Sequence, residues 1–206
     1  TAVLTMNHDT SLHVKDLLLQ RGTFYVNGVT QVNATGLISI GREGIINGDG
    51  TSTTNVYGSP ISGSQYGDMS GPGYAGHSAS HTSCSDQGGY HKPGSHGGVG
   101  GYAHSKCAYG STFEPTTSGS GGYYSTGGAA IKLTSDVFEF RGTITMDGES
   151  PGGSSRSGAA GGSVWVVTNK LKGAGALIKA NGGTAPSSGS GYAGGGGGRI
   201  AMYCAT

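Results

Sequence analysis

The segment "VFEFRGTITMDG", Val137–Gly148, decides how the chain is read. Apolar and polar residues alternate on both sides of an Arg-Gly bend, and Asp-Gly closes the unit. Alternation of period two over runs this short is strand periodicity. The segment has three counterparts: "LLLQRGTFYVNG" (Leu17–Gly28), "LISIGREGIING" (Leu37–Gly48) and "LKGAGALIKANG" (Leu171–Gly182). Arg21-Gly22-Thr23 and Arg141-Gly142-Thr143 occupy the same place in their windows. Every window ends in Asn-Gly or Asp-Gly, so Gly28, Gly48, Gly148 and Gly182 are expected as turn glycines at positive φ.

A second element precedes the later windows. "GGAAIKLTS" (Gly127–Ser135) and "GGSVWVVTN" (Gly161–Asn169) lie 34 residues apart, as do the third and fourth windows. "GGRIAMY" (Gly197–Tyr203) reads as the start of a further copy, and the first two windows are 20 residues apart. Repeats of this length predict an all-β parallel β-helix, or solenoid, with long Gly-rich insertions. One coil cannot bury its apolar face alone, so stacked coils share a core. The competing fold is an antiparallel β-sandwich with hairpins at the Asn-Gly sites. The expected inward residues are Leu17, Leu19, Phe24, Val26, Leu37, Ile40, Ile46, Val137, Ile144, Met146, Val164, Val166, Leu171 and Ile178. A one-residue slip would turn any of these strands over. No window holds a helical period, so almost no helix is expected.

Composition bounds the rest. The 206 residues suit one domain, 1–206, with a Gly/His/Tyr-rich insertion at about 49–126. Glycine is 44 of 206, about three times the usual share. Its clustering, with only 6 prolines, excludes collagen. A net charge of +1 with no basic cluster argues against nucleic acid as a partner. No apolar run approaches the roughly 18 residues of a membrane helix. The chain opens already alternating and is read as a processed chain or a segment of something longer. The Gly-rich tracts admit two readings: flexible surface loops, or extended polyproline-II-like segments packed side by side and pinned by tyrosines.

Within the insertion, His77, His81, His91, His96 and His104 run beside Cys84, Asp86 and Cys107. Imidazoles suit Zn or Cu, although the spacings match no established zinc pattern. The alternative is a polar loop in which histidine makes hydrogen bonds, with no cofactor. Cys84 and Cys107 are expected to form a disulfide in an oxidising compartment, worth about 3 kcal/mol in the chain-entropy model. Cys204 is left as a free or intermolecular thiol. Asn33-Ala34-Thr35 is an N-glycosylation pattern, expected at a turn. Catalysis needs convergent groups. Asp136, Glu139, Asp147 and Glu149 are close in sequence, but Asp147 is explained as a turn residue, and no catalytic residue is assigned.

The block "GGSVWVVTNKLKGAGALIKANGG" (Gly161–Gly183), followed by "GYAGGGGGRIAMYC" (Gly191–Cys204), resembles the Gly-rich β-helix repeats of large secreted and cell-surface proteins of microbes, protists and algae. The resemblance covers Thr126–Thr206 well and Leu12–Gly50 loosely, and leaves out the His-rich insertion. The first windows lack the Gly-Gly lead-in. It implies an extracellular or cell-surface location, a structural or adhesive role and no catalytic residues. The sequence thus points to a non-enzymatic subunit of a filament, sheath or surface appendage that polymerises head to tail through exposed strand edges. The alternative is a carbohydrate- or surface-binding adhesin module, using exposed Tyr and Trp165, with glycans as partners.

Overall fold

A computed structural model describes residues 3–7, 10–51, 93–101, 108–152, 156–186 and 192–205. Ten strands form one sheet: β1 (Val3–Met6), β2 (Thr10–Val14), β3 (Leu17–Val26), β4 (Val29–Ala34), β5 (Leu37–Asn47), β6 (Ala130–Phe140), β7 (Thr143–Thr145), β8 (Ser163–Lys172), β9 (Leu177–Lys179) and β10 (Arg199–Cys204). No helix occurs among the described residues. Every ladder between these strands is parallel. That pairing excludes the antiparallel sandwich. The chain does not fold back at Asn-Gly; it turns a corner and runs on to the next ladder.

Three ladders result. One stacks β1, β3, β5, β7 and β9. A second stacks β2, β4, β6, β8 and β10. The third joins the other parts of β3, β5, β6 and β8. Four strands therefore serve two ladders each. The bend of each repeated window lies where the third ladder gives way to the first: within β3 and β5, between β6 and β7, and between β8 and β9. The sheet winds into a nearly closed, solenoid-like body.

Side chains stack in columns along its axis. Leu4, Phe24, Ile46, Ile144 and Ile178 are successive partners. So are Leu12, Val32, Leu133, Val166 and Met202. Their middle members are fully buried, as are Ile38 and Phe138 in the third ladder. Burial of each such side chain is worth about 1.5–3 kcal/mol.

Most of the expected inward residues face the core, but Leu37 and Val137 do not. Ile38 and Phe138 are buried in their place. Along β6, Ile131, Leu133 and Ser135 are buried, and the next buried residue is Phe138 rather than Val137. The corner at Asp136 consumes one residue, so the alternation restarts out of phase. Leu171, paired with Phe138, is exposed because it lies at the end of its ladder. The repeat offset also varies: Ile131 pairs with Val164, whereas Thr143 pairs with Leu177.

The turn after the first ladder is held by a column of amides and carboxylates. The Asn27 Nδ2 donates to Asn7 Oδ1 (3.1 Å). The Asp147 backbone N–H donates to Asp49 Oδ1 (2.6 Å), and the Asn181 N–H to Asp147 Oδ1 (2.6 Å). The second turn is therefore Asp49-Gly50, not Asn47-Gly48. Gly28 and Gly50 have φ of 74° and 58°. Gly48, Gly148 and Gly182 lack positive φ; close approach requires them instead. A Cβ on Gly48 would lie 2.4 Å from the Met146 sulfur, and one on Gly148 2.2 Å from the Ala159 carbonyl oxygen.

Candidate functional site

Two regions distinguish this molecule from a plain stack of strands: a bundle of glycine segments and the two open ends of the sheet. The bundle is centred on residues 157–162, which lead into β8. The six backbone N–H groups of this segment donate outward in strict rotation. Ser157 and Ala160 reach Tyr123 and Ser120 (3.0 and 2.9 Å). Gly158 and Gly161 reach Ala193 and Gly196 (both 3.0 Å). Ala159 and Gly162 reach Glu149 and Met146 (3.2 and 2.7 Å). A three-residue period with every bond leaving the segment is the pattern of a polyproline-II helix, which has no internal hydrogen bonds. The carbonyls of Gly158, Ala159, Ala160 and Gly162 accept from Gly94, Gly183, Gly128 and Arg199. The segment is thus surrounded by backbone and fully paired, as buried peptide groups must be.

Glycine makes the spacing possible. A Cβ on Gly158 would lie 1.9 Å from the Gly183 carbonyl oxygen, and one on Gly162 1.7 Å from that of Ala129. The run Gly194–Gly198, which looks flexible in sequence, supplies one of the surrounding segments and then enters β10.

His96 ties this bundle to the sheet. Its Nδ1–H donates to the Gly161 carbonyl (2.7 Å), which leaves Nε2 to accept from the Thr117 hydroxyl (2.9 Å). Tyr109 packs on the imidazole at 4.7 Å between ring centroids. The Tyr109 hydroxyl donates to the Ser118 carbonyl (2.6 Å) and accepts from Ser120 (2.9 Å). Arg199, the first residue of β10, donates through Nε to the Tyr109 carbonyl (3.0 Å). Burial lowers the His96 pKa from 6.5 to about 4; the bond to Gly161 opposes the shift, and the Arg199 charge adds to it. Burial likewise raises that of Tyr109. His96 is a neutral pin with both ring nitrogens engaged.

A pH dependence follows. Below pH 6.5 the unfolded chain protonates this imidazole, while the folded chain resists until about pH 4. Stability should therefore fall as pH drops through that window, by about 3 kcal/mol in all, and this contribution should level off below it. His96→Gln keeps a donor for Gly161 but does not titrate, so its urea midpoints between pH 7 and 4 should fall less steeply than those of the parent. Equal slopes would disprove the assignment.

At the ends of the sheet, the outer edges of β1 and β2 on one side and of β9 and β10 on the other have no strand partner among the described residues. Exposed large apolar side chains concentrate there. Val3, Leu4 and Leu18 lie at the first end; Leu171, Leu177, Ile200, Met202 and Tyr203 lie at the second. The second end opens into a cavity of about 440 Å³ between Phe140, Leu171, Ile178 and Met202. The third ladder stops one strand short there, so no described strand lies above Leu171.

Among the described residues, the remaining sequence candidates do not gather at one site. Cys84, Cys107, His77, His81, His91 and His104 lie outside the described residues. Cys204 is an exposed free thiol near the Asn169 carbonyl. No metal-binding group of three or more His, Cys, Asp or Glu occurs among the described residues. Asn33 is not at a turn but within β4, between His13 and Thr134, on a groove of about 520 Å³. Trp165 is buried beneath the Lys132 ammonium, 3.7 Å from its ring, and offers no open platform. The four acids do not converge. Asp136 accepts from Asn169, Glu139 from Arg141, Asp147 from Lys179, and Glu149 from the Thr126 N–H. The Asn/Asp column and the glycine bundle were not identified from sequence as sites. The recurrent Asn/Asp-Gly pairs marked the former, and the clustered glycines the latter.

Comparison with protein-family models, with curated proteins and with solved structures returned no match. No helix among the described residues is long and apolar enough to cross a membrane.

Proposed function

We propose that this chain is a parallel β-helix braced by a glycine bundle, and that it serves as a non-catalytic structural subunit of an extracellular filament, sheath or surface appendage. Copies stack head to tail through their sheet edges. The supporting observation is that, among the described residues, no strand pairs with the outer edges of β1, β2, β9 and β10. Unpaired parallel edges template further strands, and solenoids that remain single normally cover them. Here the inward columns end on exposed Leu4 at one side and on Met202 at the other. An end-to-end contact of unlike surfaces that does not close makes a filament. The extracellular setting rests on the resemblance to Gly-rich repeats of secreted and surface proteins.

Negative-stain electron microscopy at neutral pH, without reductant, tests this reading. Filaments with an axial repeat of roughly 24 Å are expected, from five strands per stack at about 4.8 Å each. Met202→Glu and Leu4→Glu place a charge on the opposed ends and should each leave dispersed particles. A parent chain that stays monomeric at high concentration would refute it.

A further inference from the structure

The far end of the glycine bundle carries a cluster of tyrosine side chains beside an arginine. Segment 157–162 begins there, and the Tyr123 carbonyl accepts from its first N–H. Gly122 and Ser125 pair across a two-residue turn made of Tyr123 and Tyr124. Tyr124 has φ of 61° and is the one non-glycine residue at positive φ among those described. Turns with positive φ at this position ordinarily take Gly or Asn, and a residue with a Cβ is strained there. In a chain with 44 glycines, a tyrosine holds the position where glycine would fit without strain.

What the strain secures is an arrangement of rings. Tyr123 and Tyr124 meet edge to face at 4.5 Å, and Tyr123 and Tyr192 stack at 6.3 Å with 24° between planes. The Arg156 guanidinium lies 5.2 Å from the Tyr124 ring centre. All four side chains are half-buried, neither sealed in a core nor loose on the surface. Tyrosine offers a flat apolar face with a polar tip. Arginine offers a fixed fork of donors that matches a carboxylate. Flat C–H faces bordered by hydroxyls and an acid group are the features of an acidic pyranose.

We propose that Tyr123, Tyr124, Tyr192 and Arg156 form a binding site for an acidic sugar chain, with a ring stacked on tyrosine and its carboxylate on Arg156. The site does not depend on end-to-end stacking, because it lies on the bundle and not on the sheet edges. The tyrosine turn is kept for the ligand at a cost to the fold, and that separates it from a merely structural turn.

The test is calorimetric titration with hexagalacturonate, and with cellohexaose as the uncharged counterpart. Hexagalacturonate should bind and cellohexaose should bind at least about tenfold more weakly. Tyr124→Gly and Arg156→Gln should each weaken hexagalacturonate binding by about tenfold or more. The Tm of Tyr124→Gly should equal or exceed that of the parent, since strain is relieved. The proposal is overturned if hexagalacturonate fails to bind, if cellohexaose binds equally well, or if Tyr124→Gly lowers the Tm while binding persists.

Discussion

Gly161→Ala should unfold the chain, or destabilise it by about 3 kcal/mol or more, at the upper end of what single substitutions do. The added Cβ would sit 2.2 Å from the Ala180 carbonyl oxygen, 2.6 Å from its carbonyl carbon and 2.8 Å from the Asn181 carbonyl oxygen. All three are backbone atoms, so no side chain can swing away. Relief requires the segment to move, and Gly161 donates to Gly196 and accepts from His96. Both bonds would be lost with it. Gly197→Ala is the control: its Cβ would meet nothing within 4 Å, and it should be neutral or stabilising by about 0.5 kcal/mol through the unfolded state. Urea unfolding of the two variants beside the parent decides the matter. Similar behaviour of the two would mean that the glycine segments are not packed as described.

Phe138→Ala should cost about 3–5 kcal/mol. Phe138 is fully buried between Ile38 and Leu171 in its column and stacks on Phe140 at 5.3 Å. The neighbouring Val137→Ala, on the outward side of the strand, should cost less than about 1 kcal/mol. This pair of substitutions also tests the phase of β6. Were the alternation unbroken through the corner, Val137 would point inward and the order of the two effects would reverse. Thermal or chemical melts of both proteins distinguish the cases directly.

Much of the architecture was legible in the chain. Arg-Gly-Thr, repeated at the same place in two windows, marked the corner between ladders; Gly22 pairs with Gly44 there, and a Cβ on Gly142 would lie 2.3 Å from the Gly44 carbonyl oxygen. Period-two runs at Phe24–Val26 and Val164–Val166 indicated buried strands because nearest neighbours alone set that alternation. The error at Leu37 and Val137 has a different source. A corner residue changes the phase, and its length depends on how the next ladder is met. Asp49-Gly50 was missed for a similar reason. Asn47-Gly48 looked equivalent to the other turns, but register with the adjacent strand places the carboxylate of Asp49 in the column.

The candidate sites were harder to read. His96 stood in a tract that suggested metal, and folding buries it against Gly161, which lies 65 residues away. The pKa of that imidazole is a property of burial, which no local pattern encodes. Tyr124 looked like any other tyrosine among glycines until its backbone angle was seen. Alternation, turn residues and clustered glycines act over a few residues, so strand content, repeat and corners could be recovered from the chain alone. The glycine bundle is different in kind. A polyproline-II segment directs every hydrogen bond away from itself, so its partners are other segments, 30 or more residues distant in several cases. Their identity, the phase beyond each corner and the neutral state of His96 are set by what packs against what in three dimensions.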